Sequence, residues 1–214
     1  MAARLYGDVL RSVRLGDIPS LPQSGWVPVG TVEFCRAAMA HQGISEPDPI
    51  DYPDCLDRFR TYGGHRLSTY GDLPDGWTPE TSRSFGIHAK PWRTKQPPET
   101  WTADTPFWVG LWHRYAEEWR VYVLRGEIIG VARYDNREVD EPVDWKQVKD
   151  MVRAYQQSGE APVGYAMDIG VSDKNGVTQL VEVNDGWALG LYRGTCGPRD
   201  YLRLLEARWQ EIAG

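Results

Sequence analysis

The sequence predicts an α+β chain, and three features of it carry that prediction. Two β-hairpin patterns, at 118–134 and 163–184, flank an amphipathic helix pattern at 144–159, and a second amphipathic helix pattern closes the chain at 201–212. Hairpins on either side of a helix build antiparallel sheets covered by helices, whereas a doubly wound parallel sheet needs strand and helix to alternate throughout.

From the N-terminus, Asp17 to Gly30 carries prolines at 19, 22 and 28 and reads as extended connection, not helix. Thr31 to His41 reads as a helix: Thr31 caps it, Phe34, Cys35 and Ala38 share a face, and Gly43 stops it. The acidic, proline-broken run 46–52 leads to a short helix from Asp54 to Tyr62, closed by Gly63-Gly64, and 72–79 is turn chemistry. The first eighty residues therefore read as a small, irregular leading lobe, 1–80. Phe85 to Lys90 is a short strand ended by Pro91, and Thr105 to Trp112 is an aromatic-rich strand. Glu118–Leu124 and Glu127–Tyr134 form a hairpin about a tight Arg125-Gly126 turn. Asp144 with Gln147 makes a capping box, and Trp145, Val148, Val152 and Tyr155 recur at helical spacing up to Gly159. Val163–Val171 and Val177–Asn184 form the second hairpin, joined by Ser-Asp-Lys-Asn-Gly. Tyr201–Ile212 places Leu202, Leu205, Trp209 and Ile212 on one stripe.

Composition bounds the function. At 214 residues the chain suits one substantial domain or two small lobes sharing a cleft, and buries roughly 70% of its unfolded surface. No run approaches the ~18 apolar residues of a membrane helix, and the N-terminus lacks an apolar signal core. Three cysteines, Cys35, Cys55 and Cys196, make neither a disulfide framework nor a thiolate zinc site, so a reduced, cytoplasmic setting is expected. A net charge of −6 disfavours nucleic acid as a partner, despite Arg4, Arg11 and Arg14 near the start. Ten tryptophans and eleven tyrosines are a heavy aromatic load, useful in cores and in clefts that stack planar ligands.

The candidate chemistry lies on the hairpins. If the loop at 173–176 lets paired residue numbers sum to about 350, Asp168 lies across from Glu182, and Asn184 shares the face of Glu182. Opposed like charges destabilise a sheet, and a divalent cation relieves them; oxygen ligands with room for phosphate and water suit magnesium. The alternative is a solvated polar face, against which stand the apolar flanks Y-A-M-D-I-G and Q-L-V-E-V-N-D. A one-residue slip would undo the pairing. On the first hairpin, Glu118, Arg120 and Tyr122 share a face, and a two-residue turn puts Arg120 near Val131 and Glu118 near Arg133. Arg120 and Arg133 would then converge at one end of the sheet, as phosphate ligands or as surface ion pairs with Glu117 or Glu118. Lys90 ends an apolar strand and Lys95 lies in the loop beyond it. No P-loop, Rossmann fingerprint, metal-ligand histidine spacing or G-x-S-x-G is present.

The order of a lysine strand, a linker strand, an arginine hairpin and an Asp…Glu-x-Asn hairpin resembles the ATP-grasp superfamily of carboxylate–amine ligases. The resemblance rests on H-A-K-P (88–91), E-W-R-V-Y-V-L-R-G-E-I-I-G-V-A-R-Y (118–134), Y-A-M-D-I-G-V (165–171) and L-V-E-V-N-D-G-W-A-L-G-L-Y (180–192), so it covers about 85–192. It is nearest to small stand-alone members related to the glutamate ligase that modifies a ribosomal protein, and P-V-G-T-V-E-F (28–34) resembles the leading segment of such members. The resemblance implies an ATP-grasp fold: two antiparallel-sheet lobes with an ATP cleft between them, behind a shortened N-terminal segment. A nucleotide lobe of about 81–112 and a catalytic, metal-binding lobe of about 113–214 would make up the domain 81–214. By the same resemblance Lys90 binds phosphate, and Lys95, Glu118 and the linker residues Val109, Leu111 and Trp112 complete the ATP site. Arg120 and Arg133 are the catalytic pair for the transferring phosphoryl group, and Asp168, Glu182 and Asn184 hold Mg2+. Asp185, Trp187 and Tyr192 follow the metal residues and are candidates for facing the acceptor substrate. The implied activity is an ADP-forming ligase that joins a carboxylate to an amine on a peptide, protein or amino-acid-like substrate, away from membranes. The alternative is a nucleotide-binding module without ligase activity. It is motivated by departures from the pattern: the loop after Lys90 lacks the covering glycines, the linker lacks an acidic residue near the ribose, and the leading lobe is short.

Overall fold

A computed structural model describes residues 4–5, 8–9, 11–50, 52–60, 66–92, 101–135 and 142–214. Lys95, and the helix end expected at 61–64, lie outside the described residues. Arg4–Leu5 (β1) and Asp8–Val9 (β2) pair with each other. The proline-rich connection contains a 3-10 turn at Leu15–Ser20 where an extended run was expected, with Pro19 inside it. Pro19 supplies the φ such a turn needs and is no obstacle to so short a helix.

Helix α1 (Val32–Gln42) forms as its caps dictate: the Thr31 hydroxyl accepts from the Phe34 N–H, and Gly43 closes it in the left-handed conformation. The helix expected from Asp54 is a 3-10 helix, Asp54–Phe59. Strand β3 (Arg66–Thr69), which no sequence signal marked, precedes the short α2 (Ser82–Phe85). β3 joins β4 (Ile87–Pro91) and β5 (Pro106–Leu111) in a three-stranded antiparallel sheet of order β3-β5-β4. Tyr115–Leu124 (β6), Glu127–Arg133 (β7), Gly164–Ser172 (β8) and Thr178–Asp185 (β9) form the second sheet, antiparallel in the order β7-β6-β8-β9.

Helix α3 (Trp145–Ser158) connects the two hairpins, with Asp144 accepting from the Gln147 N–H at 3.0 Å. Its Val148, Met151 and Tyr155 cover one face of the larger sheet through Val121, Val123, Met167 and Ile169. Helix α4 (Pro198–Ala213) covers part of the opposite face, packing Leu204 and Tyr201 against Tyr122 and Ala166. Burying each of these side chains stabilises the fold by about 1.5–3 kcal/mol, which outweighs helix propensity in holding the two helices in place.

The leading lobe expected over 1–80 is divided between the two sheets. α1 packs Cys35, Ala38 and Met39 against Trp187 and Trp209 beside α4. Leu56 and Phe59 join the α3 side of the larger sheet. Residues 66–81 serve the smaller sheet, whose core is Trp77, Ala89, Phe107 and Val109. Long-range apolar contacts, not chain proximity, assign these segments.

Candidate active site

The part of the larger sheet left uncovered by α4 carries the charged groups, and two bulges set which side chains stand there. Between β8 and β9 the pairing begins with Val171 opposite Thr178, then shifts by one residue between Asp168 and Ile169. Without that shift Asp168 would face Val181, and Glu182 would point to the α3 side. With it, Asp168 lies opposite Glu182, and Asn184 opposite Ala166, on one face. The expected juxtaposition is present, and a bulge produces it.

The second bulge, between Tyr122 and Val123 on the β6–β7 pair, has the opposite consequence for the arginines. Arg125 and Gly126 form the two-residue turn, both at positive φ, and the pairing leaves it with Leu124 opposite Glu127. After the bulge Arg120 lies opposite Ala132 instead of Val131, and Arg133 lies opposite Trp119. Arg133 therefore emerges on the α3 side of the sheet. There it pairs with Glu117 at 3.2 Å and Asp135 at 3.0 Å, while the Trp119 indole donates to Glu117 at 2.7 Å. The expected convergence of Arg120 and Arg133 does not occur.

Arg120 instead reaches the acidic pair. Its Nε donates to Asp168 Oδ1 at 2.8 Å and its Nη2 to Asp168 Oδ2 at 2.7 Å, with both residues buried. The Asn184 amide donates to Asp168 Oδ2 at 3.1 Å and to Glu182 Oε1 at 3.0 Å. Lys90, from the smaller sheet, closes the group with its ammonium 3.7 Å from Glu182 Oε2. Burial, with Glu182 adding to it and Arg120 opposing, pushes the Asp168 carboxyl up to about 6. Burial also acts to raise Glu182, but Lys90 and the Asn184 amide outweigh it and hold its carboxyl below the ordinary value. The Arg120 guanidinium stays above its ordinary pKa: burial works against its charge, and the bond to Asp168 more than restores it.

An aromatic wall stands beside this group. The Tyr134 and Tyr192 rings stack at 5.1 Å and 21°, and the Arg120 guanidinium lies 4.8 Å from the Tyr192 ring centre. The Tyr122 hydroxyl tethers the loop that carries Tyr192, donating to the Gly190 carbonyl at 3.0 Å and accepting from the Tyr192 N–H at 2.8 Å. Burial, then Asp168 and Glu118, push the Tyr134 phenol above its ordinary pKa. Tyr134 was missed because only the β7 bulge puts it on the same face as Arg120. Glu118 is on that face too, two residues before Arg120, and its N–H donates to Asp135.

Two expected acceptor residues belong to the core. Asp185 follows Asn184 on the strand and so points to the other face, where Arg208 grips it at 2.8 and 2.7 Å and the Trp187 N–H donates to it at 3.1 Å. Trp187 is buried against α1 and α4. The linker residues also divide. Val109 sits in the central strand with Arg66 on one side and Ala89 on the other, its side chain in the smaller core. The Trp112 N–H donates to the Gly86 carbonyl at 2.9 Å, so neither residue offers the backbone edge expected for adenine. Leu111 pairs with Ile87 alone among the described strands, and it is exposed.

The donor set fits a hard cation. Among the described residues no cluster of three or more His, Cys, Asp or Glu side chains could hold a metal. Asp168 and Glu182 with the Asn184 amide oxygen would supply a partial shell, the kind Mg2+ completes with water and phosphate oxygens.

Two antiparallel sheets that face each other across a cleft, with a lysine from one and an arginine–carboxylate group on the other, form the α+β ATP-grasp fold. A sequence profile of the ATP-grasp domain, the third family of one of its clades, matches residues 14–212, and the chain belongs to that family. Among solved structures, the ATP-grasp ligase PsnB complexed with minimal precursor is 19% identical, with 69% of this chain and 55% of that chain covered and a TM-score of 0.41. The macrocyclase MdnC bound with precursor peptide MdnA from Microcystis aeruginosa MRC is 16% identical, covering 68% and 55%, at a TM-score of 0.41. D-alanine–D-alanine ligase from Bacillus anthracis is 13% identical, covering 84% and 67%, at 0.43. The chain thus spans about half the length of PsnB. No curated protein matches the chain. Among the described residues no helix is long and apolar enough to cross a membrane.

Proposed function

We propose that the protein is an ATP- and Mg2+-dependent, ADP-forming ligase that joins a carboxylate to an amine on a peptide, protein or amino-acid-like substrate. The observation that carries this reading is the convergence of Lys90, Arg120, Asp168, Glu182 and Asn184 from two sheets onto one cleft. Membership of the ATP-grasp family supports it. The narrower likeness to the glutamate ligase that modifies a ribosomal protein belongs to the same proposal and rests on the motifs at 28–34, 88–91 and 118–134.

A carboxylate acylates poorly, so such a ligase first converts it with ATP to an acyl phosphate, which the amine then attacks with loss of phosphate. Phosphoryl transfer asks the protein mainly for positioning and charge neutralisation. In this reading Lys90 binds a nucleotide phosphate and Arg120 stabilises the transferring phosphoryl group. Asp168, Glu182 and Asn184 hold Mg2+, which supplies Lewis-acid charge neutralisation when bound. Tyr192 flanks the acceptor carboxylate beside Arg120. Arg133, Asp185 and Trp187 have no direct part.

The test is ADP release and mass shift with ATP, Mg2+, pooled amino acids and a peptide panel. ADP and phosphate should appear only when carboxylate and amine acceptors are both present, and Glu182→Ala should abolish turnover with the fold intact. Normal turnover in Glu182→Ala would refute the metal assignment. Tight ATP·Mg binding with no turnover across the panel would instead leave a nucleotide-binding module.

A further inference from the structure

Tyr52 lies on the connection between α1 and the Asp54–Phe59 helix, outside the group of residues assigned to the chemistry above. Pro53 follows it and restricts it to extended backbone. Ile50 and Leu56, on either side, are packed into the core of the larger sheet, so the larger lobe carries the Tyr52 ring. The ring, only 4% exposed, nevertheless reaches the smaller lobe. The Trp108 indole meets it at 5.6 Å and 87°, and the Lys90 ammonium lies 4.5 Å from its centre. Lys90 and Trp108 are direct neighbours across β4 and β5. Arg60, itself tied to Asp57 at 2.9 Å and to the Pro53 carbonyl at 3.0 Å, lies over the same ring at 4.5 Å.

The Lys90 ammonium therefore has Glu182 on one side and an aromatic face on another. An aromatic ring attracts a cation through its quadrupole without cancelling its charge, and does so more strongly as water is excluded. A second carboxylate in that place would orient the ammonium equally well but neutralise it. We infer that Tyr52 is the positioning residue for Lys90: its π face holds the ammonium at the cleft, fully charged, where it can meet an anionic phosphate. The phosphate in this statement rests on the ATP-dependent reading above; the Tyr52–Lys90 contact does not. Because the ring comes from one lobe and the lysine from the other, the same contact also joins the two sheets.

The test replaces Tyr52 by Phe and then by mono-, di- and pentafluorinated phenylalanines in the full chain, which weakens the quadrupole while keeping the shape of the ring. Two quantities are read: the rate of Lys90 acylation by acetic anhydride, by mass spectrometry, and the Kd for ATP·Mg, by calorimetry. Tyr52→Phe should behave as the parent protein. Across the fluorinated series Lys90 acylation should rise stepwise, and the Kd should weaken by about fivefold at the pentafluorinated end, the scale of one cation–π contact. Equal thermal unfolding across the series would show that packing is unchanged. Lys90 acylation that stays flat across the series overturns the proposal whatever ATP does. So does ATP binding that is measurable and flat while acylation rises. Stepwise acylation in a protein that binds no ATP upholds the positioning of Lys90 and overturns the nucleotide reading instead.

Discussion

Arg120 and Asp168 face each other across neighbouring strands of the larger sheet, and the guanidinium holds both carboxylate oxygens, at 2.8 and 2.7 Å, in a buried setting. Removing one partner of such a pair leaves a charge buried without compensation, which costs roughly 3–5 kcal/mol, whereas removing both together costs far less. Urea unfolding should therefore show Asp168→Ala strongly destabilised and Arg120→Met with Asp168→Leu close to the parent protein. Additive losses in the double variant would contradict this. Every one of these variants should be inactive, because both residues belong to the proposed site.

Arg133 makes the contrasting case. It lies on the α3 side with Glu117 and Asp135, away from Arg120. Arg133→Met should destabilise the fold by about 3 kcal/mol by leaving two carboxylates with buried side chains short of a partner. Its ATP·Mg affinity, by calorimetry under folding conditions, should stay within about twofold of the parent, a change of only about 0.4 kcal/mol. A large loss of affinity with unchanged stability would return Arg133 to the nucleotide.

Gly130 occupies the bulged strand where the chain around Cys196 crosses it. A Cβ built on Gly130 would stand 2.5 Å from the Cys196 backbone nitrogen, closer than real contacts allow. Backbone cannot turn aside as a side chain can, so Gly130→Ala should lower stability by about 2–3 kcal/mol or more. A thermal melt decides it, and an unchanged midpoint would show that the crossing chain has room to move.

Cys196 offers a pH signature. Burial, with Asp200 adding to it, pushes its thiol up to about 11 from an ordinary 9.0. The folded form thus holds the proton more tightly than the unfolded chain. That stabilising contribution is fully present below pH 9 and is lost as pH rises through about 11. Denaturation midpoints measured at about pH 8 and about pH 10.5 should fall more for the parent protein than for Cys196→Ala. The difference between the two isolates the thiol from the buried tyrosines, which titrate at higher pH still. Equal falls would show that Cys196 does not titrate in this window.

Much of the architecture could be read from local chemistry. Thr31, Gly43, Asp144 and Gly159 each mark a helix end that forms where their side chains or backbone freedom place it. The alternation in 163–184 showed that Asp168, Glu182 and Asn184 would share a face once paired, because strand side chains repeat every second residue. The Arg125-Gly126 turn fixed the start of the first hairpin for the same reason: two successive residues at positive φ are compatible with very few other turns. Strand β3 was invisible because R-L-S-T is too short to show a period, and its partner β5 lies nearly forty residues further on.

Local periodicity thus specified which side chains carry charge and which elements hold them, since capping, turn chemistry and alternation act within a few residues. The tertiary structure settled which of them meet. One bulge brought Glu182 opposite Asp168, another sent Arg133 to the far face, and a connecting segment carried Tyr52 to Lys90. A bulge is a one-residue choice made by the packing on both faces of a sheet, and an inter-lobe contact joins residues from separate segments. Neither leaves a pattern in the order of residues along the chain.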